Sequence, residues 1–308
     1  MQLLERAQRN CPVCGSSPDR AKIFFDEHID SSKLNEFSFA SRKEPEYLCY
    51  QMVQCSSCDL VYVDRPPSQQ ALAEVYHAAD YDSSEEADDA ASAYARVIRP
   101  ALRQLKLGRA LEIGTGTGVF LDKLKQLGFE TVAGIEPSTA AIAAAPAHRH
   151  DWIREGIFVE GDYEPESFDL ICCFMTLEHV REPAEITRSV MRLLRPGGAF
   201  VTVTHDYRSI VNRLMGRRSP IIDIEHMQLF SARSIAALFD RNGYTNVQVK
   251  PFVNRYSLRY WTRLAPLPSG IKSFAQQTIA TLGIAGIKIP MNVGNTVALG
   301  FKPSNQRA

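Results

Sequence analysis

The chain lacks any net charge: its 35 Lys and Arg residues are matched by 35 Asp and Glu. Without a broad basic field it has little to draw nucleic acid, so an extended RNA or DNA surface is not expected. Long apolar runs are missing too. The longest, Thr278 to Ile289, is broken by two glycines and a lysine, well short of the roughly 18–20 apolar residues a membrane crossing needs. Nothing in Met-Gln-Leu-Leu-Glu-Arg at the start resembles a signal peptide, so the expected location is cytoplasmic. Cysteine is scarce, and in that compartment the seven present are not expected to form disulfides. Repeats and low-complexity tracts are absent, and 308 residues hold one full α/β domain with smaller attachments.

Four of the cysteines form two C-x-x-C knuckles, Cys11-Pro12-Val13-Cys14-Gly15 and Cys55-Ser56-Ser57-Cys58. This spacing suits four thiolates around one tetrahedral zinc ion, with Gly15 leaving room for the tight turn. Four thiolates fill the shell and leave no position for water, so the expected role is structural. A module of about 60 residues buries little core and needs such a staple. Cys49 reads as a spare, and Cys172 and Cys173 as packing residues in an apolar strand.

The densest signal is Leu111-Glu112-Ile113-Gly114-Thr115-Gly116-Thr117-Gly118, an apolar strand entering a glycine-rich turn ahead of the helical pattern Val119 to Leu127. Glycine there lets backbone approach a ligand closely. The dinucleotide fingerprint fails, because the third glycine position falls on Val119 or Leu121. Glu112 would repel a pyrophosphate and suits a cationic ligand. Thr131 to Pro137 reads as a second strand ending in Glu136, placed to accept the hydroxyls of a ribose. Phe168 to Met175 is a continuous apolar strand, as expected of one covered on both faces, and runs into Thr176-Leu177-Glu178-His179-Val180. Leu194-Arg195-Pro196-Gly197-Gly198 turns into a strand from Ala199 to Thr204.

These motifs, in this order, resemble the class I S-adenosylmethionine-dependent methyltransferases over roughly residues 100 to 250. The resemblance implies a Rossmann-like α/β fold with a seven-stranded sheet and a helical insertion before the last strand. It also implies a donor site built from Glu112, Gly114, Thr115, Gly116, Gly118, Glu136, Pro137, Asp162 and Met175, with Asp162 meeting the adenine amino group. The expected organisation is a zinc ribbon over 1–66, a helical linker over 67–107, the methyltransferase core over 108–250, an inserted lid over 251–292, and the last strand and tail over 293–308. In the linker, Ser68 is placed to cap a helix carrying Leu72, Val75, Tyr76 and Ala79. The acid-rich run Asp80 to Asp89 reads as a mobile solvated stretch, and a further helix is expected from Ala91 to Leu107.

Transfer to a hydroxyl or acidic carbon also needs a base. His179, His205 and His226 follow or lie near strand ends, and Glu225-His226 resembles the acid–histidine pair of methyltransferases acting on nucleotide-linked deoxysugars. Those enzymes also carry an N-terminal four-cysteine zinc domain, and Tyr76 and Tyr81 loosely match their aromatic helix. The chain is too short for their further C-terminal domain, which favours O-methyl transfer at least as much as C-methyl transfer. The expected catalytic group is His226, Glu225 and His179, and the expected acceptor is a small, nucleotide-linked or lipid-linked molecule, a sugar before others. An RNA methyltransferase and a noncatalytic donor-binding scaffold are the alternatives. The stretch Asp206 to Arg218 suggests a short amphipathic helix over the site mouth, its arginines facing either a diphosphate or solvent. Tyr256, Leu258, Tyr260, Trp261, Leu264 and Leu267 interleave with arginines, a pattern for a substrate lid before a lipid contact.

Overall fold

Three short apolar strands build the N-terminal sheet: Ala21–Phe25 (β1), Met52–Cys55 (β2) and Val61–Val63 (β3), paired antiparallel in that order. The computed structural model describes residues 6–34, 38–39, 46–79, 85–265 and 268–304. Arg65-Pro66-Pro67 ends β3. Ser68 then accepts the Ala71 N–H and starts helix α1, Gln69–Ala78. Helix α2 spans Glu85–Leu102, earlier than expected at both ends, with Pro100 in its last turn. Part of the acidic run is therefore helical. Asp88 and Asp89 stand near the helix N-terminus, where negative charge is favoured, and pair with Lys123 and Lys288. Asp80, Tyr81 and Asp82 lie outside the described residues.

Alternating strands and helices follow: β4 (Arg109–Ile113), α3 (Val119–Gln126), β5 (Thr131–Glu136), α4 (Thr139–Ala143), α5 (Ala147–His150), β6 (Ile153–Glu155), β7 (Phe168–Phe174), α6 (Pro183–Leu193) and β8 (Leu194–His205). After them come α7 (Ile210–Met215), β9 (Gln228–Leu229), α8 (Ala232–Arg241), β10 (Thr245–Ser257), α9 (Leu258–Leu264), α10 (Ser269–Thr281) and β11 (Lys288–Phe301). The large sheet has seven strands in the order β10-β11-β8-β7-β4-β5-β6. β4 to β8 run parallel, while β11 is antiparallel to both its neighbours. The order reverses between β4 and β7, which opens a crevice at their carboxyl ends, where ligands of such sheets bind.

β7 shows why this strand reads as wholly apolar. Leu170, Cys172 and Phe174 pack on one face with Tyr94, Phe120 and Leu124 of α2 and α3, while Ile171 and Cys173 face Val190 and Leu238 of α6 and α8. Both cysteines are fully buried packing residues.

Two features depart from the expected organisation. The N-terminal sheet is completed from far outside 1–66, because β9 pairs with β3 through Leu229↔Val61 and Gln228↔Tyr62. The last hairpin is also longer than the patterns at 245–250 and 296–301 suggested, pairing out to Ser257↔Lys288, so the inserted helices begin at Leu258. Tyr256 and Trp261 are buried beside Phe252 and Val297, and the Trp261 indole donates to the Ile289 carbonyl at 3.0 Å. These two aromatics are thus core residues rather than a lipid-facing stripe, and Leu267 lies outside the described residues.

Phe174 stacks on Tyr94 with ring centroids 4.2 Å apart, joining sheet to helix. Phe174→Ala is expected to cost about 3–5 kcal/mol, read as a lower denaturation midpoint with an unchanged m-value.

Candidate active site

The glycine-rich turn between β4 and α3 is held in a shape only glycine adopts freely. Gly114, Gly116 and Gly118 all have left-handed φ, 77°, 56° and 71°. A Cβ at Gly114 would run into the Thr176 side chain, so the turn and the loop after β7 lie in direct contact. A Cβ at Gly116 would meet open space, leaving the surface of the turn clear for a ligand. Glu112 is buried beneath the turn and accepts the Thr115 hydroxyl. At the end of β5, Glu136 takes the Gly116 N–H on one oxygen at 2.7 Å and the Ser138 N–H on the other at 2.9 Å. Burial raises its pKa, and these two amides partly oppose the rise. Pro137 separates Glu136 from Ser138, whose hydroxyl caps α4. Met175 adopts φ 51°, costly for a non-glycine residue and directly after β7. Asp162 stands apart, on the exposed rim, paired with Arg154 at 2.6 Å.

The histidines converge next to this edge. His179 and His226 have ring centroids 4.8 Å apart, and His205 lies 5.4 Å from His226. Glu225 places one carboxylate oxygen 3.8 Å from His179 Nδ1 and the other 4.0 Å from His226 Nε2. His226 Nδ1 sits 2.9 Å from the Ile221 carbonyl, which can only accept, so the neutral ring carries its proton on Nδ1 and keeps the Nε2 lone pair. Tyr76, half-buried on α1, donates its hydroxyl to the Glu225 carbonyl at 2.9 Å and lies 3.1 Å from His179 Nδ1. Burial pushes the His205 pKa down to about 4, so a neutral ring faces His226. One ligand atom from each of His179, Glu225 and His226 lies within 4.8 Å of the others.

At the other end of the chain, the four cysteines of the two knuckles also meet. Their sulfurs all lie within 4.8 Å of one another, with Cys11–Cys58 and Cys14–Cys55 each at 3.5 Å. That is far beyond a disulfide bond and close to the ~3.8 Å edge of a tetrahedron with zinc–sulfur bonds of about 2.3 Å. The Cys58 thiol is pushed upward, chiefly by its hydrogen bond to Cys11 and then by burial. Four such groups cannot all ionise side by side without a cation among them, so the donor set fits zinc.

The profile of a methyltransferase domain family matches residues 63–249. The chain belongs to that family. Among relatives, it is 27% identical over 170 residues to a ubiquinone biosynthesis O-methyltransferase of Pseudomonas fluorescens strain Pf0-1, covering 52% of this chain and 64% of that protein. It is 33% identical over 119 residues to the Burkholderia orbicola protein of the same description, covering 35% of this chain and 50% of the relative. The chain thus spans less than two thirds of the length of these curated relatives. Among solved structures, a SAM-dependent methyltransferase of Thermotoga maritima aligns over 70% of this chain and 92% of its own, at 19% identity and a TM-score of 0.47.

Within this methyltransferase fold, two groups were not singled out by sequence reasoning. Glu178 is fully buried, accepts the His205 N–H on one oxygen, and has no partner for the other among the described residues. Its carbonyl takes the Met227 and Gln228 amides, and the Gln228 side chain donates to the Leu177 and Val180 carbonyls. The only sequence signal was an acid beside His179. Burial pushes the Glu178 pKa up from 4.5 to about 8, so the native state holds its proton more tightly than the unfolded chain. The resulting stability is fully present below pH 4.5 and is lost as pH rises toward 8, at no more than about 1.4 kcal/mol per pH unit. Glu178→Gln, which keeps the acceptor for His205, should flatten that decline. Denaturation midpoints measured from pH 5 to pH 8 give the slopes to compare.

Proposed function

We propose that the chain transfers the methyl group of S-adenosylmethionine to a hydroxyl of a small or carrier-linked acceptor, with a sugar as the favoured class. The observation that carries this reading is the contact between Gly114 and Thr176, which sets the donor turn against the loop bearing His179. The bound donor supplies a methyl already activated on a sulfonium. Glu112 and Glu136 would hold its cationic and ribose ends, the first by charge and the second through the lone pairs its backbone amides leave free. Met175 would line the path between donor and acceptor. Asp162, paired with Arg154 on the rim, would reach the adenine edge only after a change of partner.

His226 is the proposed base, since its Nε2 lone pair is fixed by the Nδ1 bond to Ile221. Glu225 balances the charge that develops on the ring, and neutral His205 does not oppose it. His179, set by Tyr76, would orient the acceptor hydroxyl. The names of the ubiquinone biosynthesis relatives specify oxygen as the acceptor atom, which favours O-methyl over C-methyl transfer. Zinc held by Cys11, Cys14, Cys55 and Cys58 would act only as a staple, since its shell is then full.

Two substitutions separate the roles. His226→Gln should lower methyl transfer by about 10²–10⁴-fold while leaving donor affinity within a factor of two, measured by calorimetry. Glu136→Ala should instead weaken donor binding by at least about tenfold. Incubating the protein with methyl-labelled donor and a cell extract identifies the product by mass spectrometry. Label in a nucleotide-linked or lipid-linked sugar supports the reading; label in RNA, or donor binding without any transfer, contradicts it.

A further inference from the structure

β11 pairs with β8 only as far as Asn295↔His205. Lys288 to Gly294 and the facing Asn254 to Ser257 therefore run on past the carboxyl end of the parallel strands, carrying α9 and α10 with them. α7 leaves the same edge from the end of β8. It is seated against the extension, because the Asp206 N–H donates to the Gly294 carbonyl and a Cβ on Gly294 would strike Ser209 and Asn212. This end of the molecule borders the proposed acceptor cluster, since His205 hydrogen-bonds Asn295 and lies beside His226.

Tyr256 and Trp261 of this end face the core, but several of its other apolar residues do not. Ile210 and Leu214, one turn apart on α7, are 76% and 84% exposed, and Phe274 of α10 and Leu282 at its C-terminal cap are 71% and 64% exposed. Ile271 and Ile287 are also more than half exposed, at 55% and 52%. Large apolar side chains this exposed, on α7 packed against β11 and on α10 carried by the same hairpin through α9, mark a contact surface. The charge these segments themselves carry has one sign, and Asp89 of α2 pairs with Lys288 at their base. No acid occurs from Tyr207 to Ile222, and none follows Asp240 to the end of the chain. Arg213, Arg218, Arg259 and Lys272 lie on these segments. The acid-free segments of a neutral protein thus place basic and exposed apolar residues together at the end that holds its proposed acceptor site.

Protruding aliphatic and aromatic side chains with basic neighbours fit a bilayer interface bearing anionic headgroups. We propose that this end docks on an anionic lipid surface, with Ile210, Leu214, Phe274 and Leu282 entering the headgroup region and the basic residues meeting lipid phosphates. The inference rests on the acceptor reading above for its purpose: an acceptor carried on a lipid reaches the His205–His226 edge without leaving its membrane.

The test is flotation of the full chain with phosphatidylcholine vesicles and with vesicles that also contain phosphatidylglycerol, in the absence of donor and acceptor. The chain should float with the anionic vesicles alone and detach in high salt. The double variants Ile210→Glu/Leu214→Glu and Phe274→Glu/Leu282→Glu should each weaken binding by about tenfold or more, with calorimetric affinity for S-adenosylmethionine unchanged as the control for folding. No binding to anionic vesicles, or binding indifferent to both variants, overturns the proposal. A dimer seen by light scattering and abolished by Phe274→Glu would also overturn it, by giving the surface to a second copy. Because flotation needs no methyl transfer, it fails independently of the proposed activity.

Discussion

The structure depends on where residues 225–230 are held. β9 is the fourth strand of the N-terminal sheet, yet its first residues are tied to the loop after β7 by the Met227 and Gln228 amides on the Glu178 carbonyl. Arg9 adds a third tie: buried, it donates to the Val63 carbonyl at 2.9 Å and to the Met227 carbonyl at 3.1 Å. Burial lowers its pKa to about 10 against the opposing charge of Glu182 3.8 Å away, which still leaves the guanidinium charged near neutrality. Behind this clamp, Arg208 pairs with Asp59 and Tyr207 donates to the Asp59 carbonyl, so the cysteine module and the α/β domain share one set of polar bonds.

The consequence for chemistry is positional. Glu225 and His226 immediately precede the clamped strand, and their geometry against His179 follows from both sheets at once. Removing the N-terminal sheet would leave β9 an unpaired two-residue strand, and short strands hold no fixed direction alone. The staple proposed at the four cysteines therefore acts on the acceptor side, while the donor turn is set by β4, β5 and the Thr176 loop within the α/β domain alone. The cysteine module and the proposed acceptor cluster are coupled here through backbone hydrogen bonds rather than through a shared ligand.

Much of this was legible because periodicity and glycine placement are local. The apolar run Phe168 to Phe174, the turn Gly114 to Gly118, and the Ser68 cap each state their structure within a few residues. The knuckles were legible because thiolate chemistry admits few alternatives. What stayed hidden was non-local. Nothing in Gln228-Leu229 announces a strand that pairs with Val61 and Tyr62, since a two-residue element has no pattern. Glu178 read as one acid in a loop, because only burial makes it a neutral acceptor beneath His205. Tyr256 and Trp261 alternated with arginines as an interfacial stripe would, yet they pack inward. Among the described residues the three most exposed large apolar side chains, Leu214, Ile210 and Phe274, lie on α7 and α10 instead.

The claim that the cysteine module holds the segment bearing Glu225 and His226 is most directly tested by hydrogen–deuterium exchange, comparing the protein loaded with zinc and the Cys55→Ser variant. The account predicts that amides of Met227 to Phe230 lose protection in the variant, while those of Glu112 to Gly118 in the donor turn keep theirs. Unchanged protection at Met227 to Phe230, in a variant shown to have lost its metal, would contradict it.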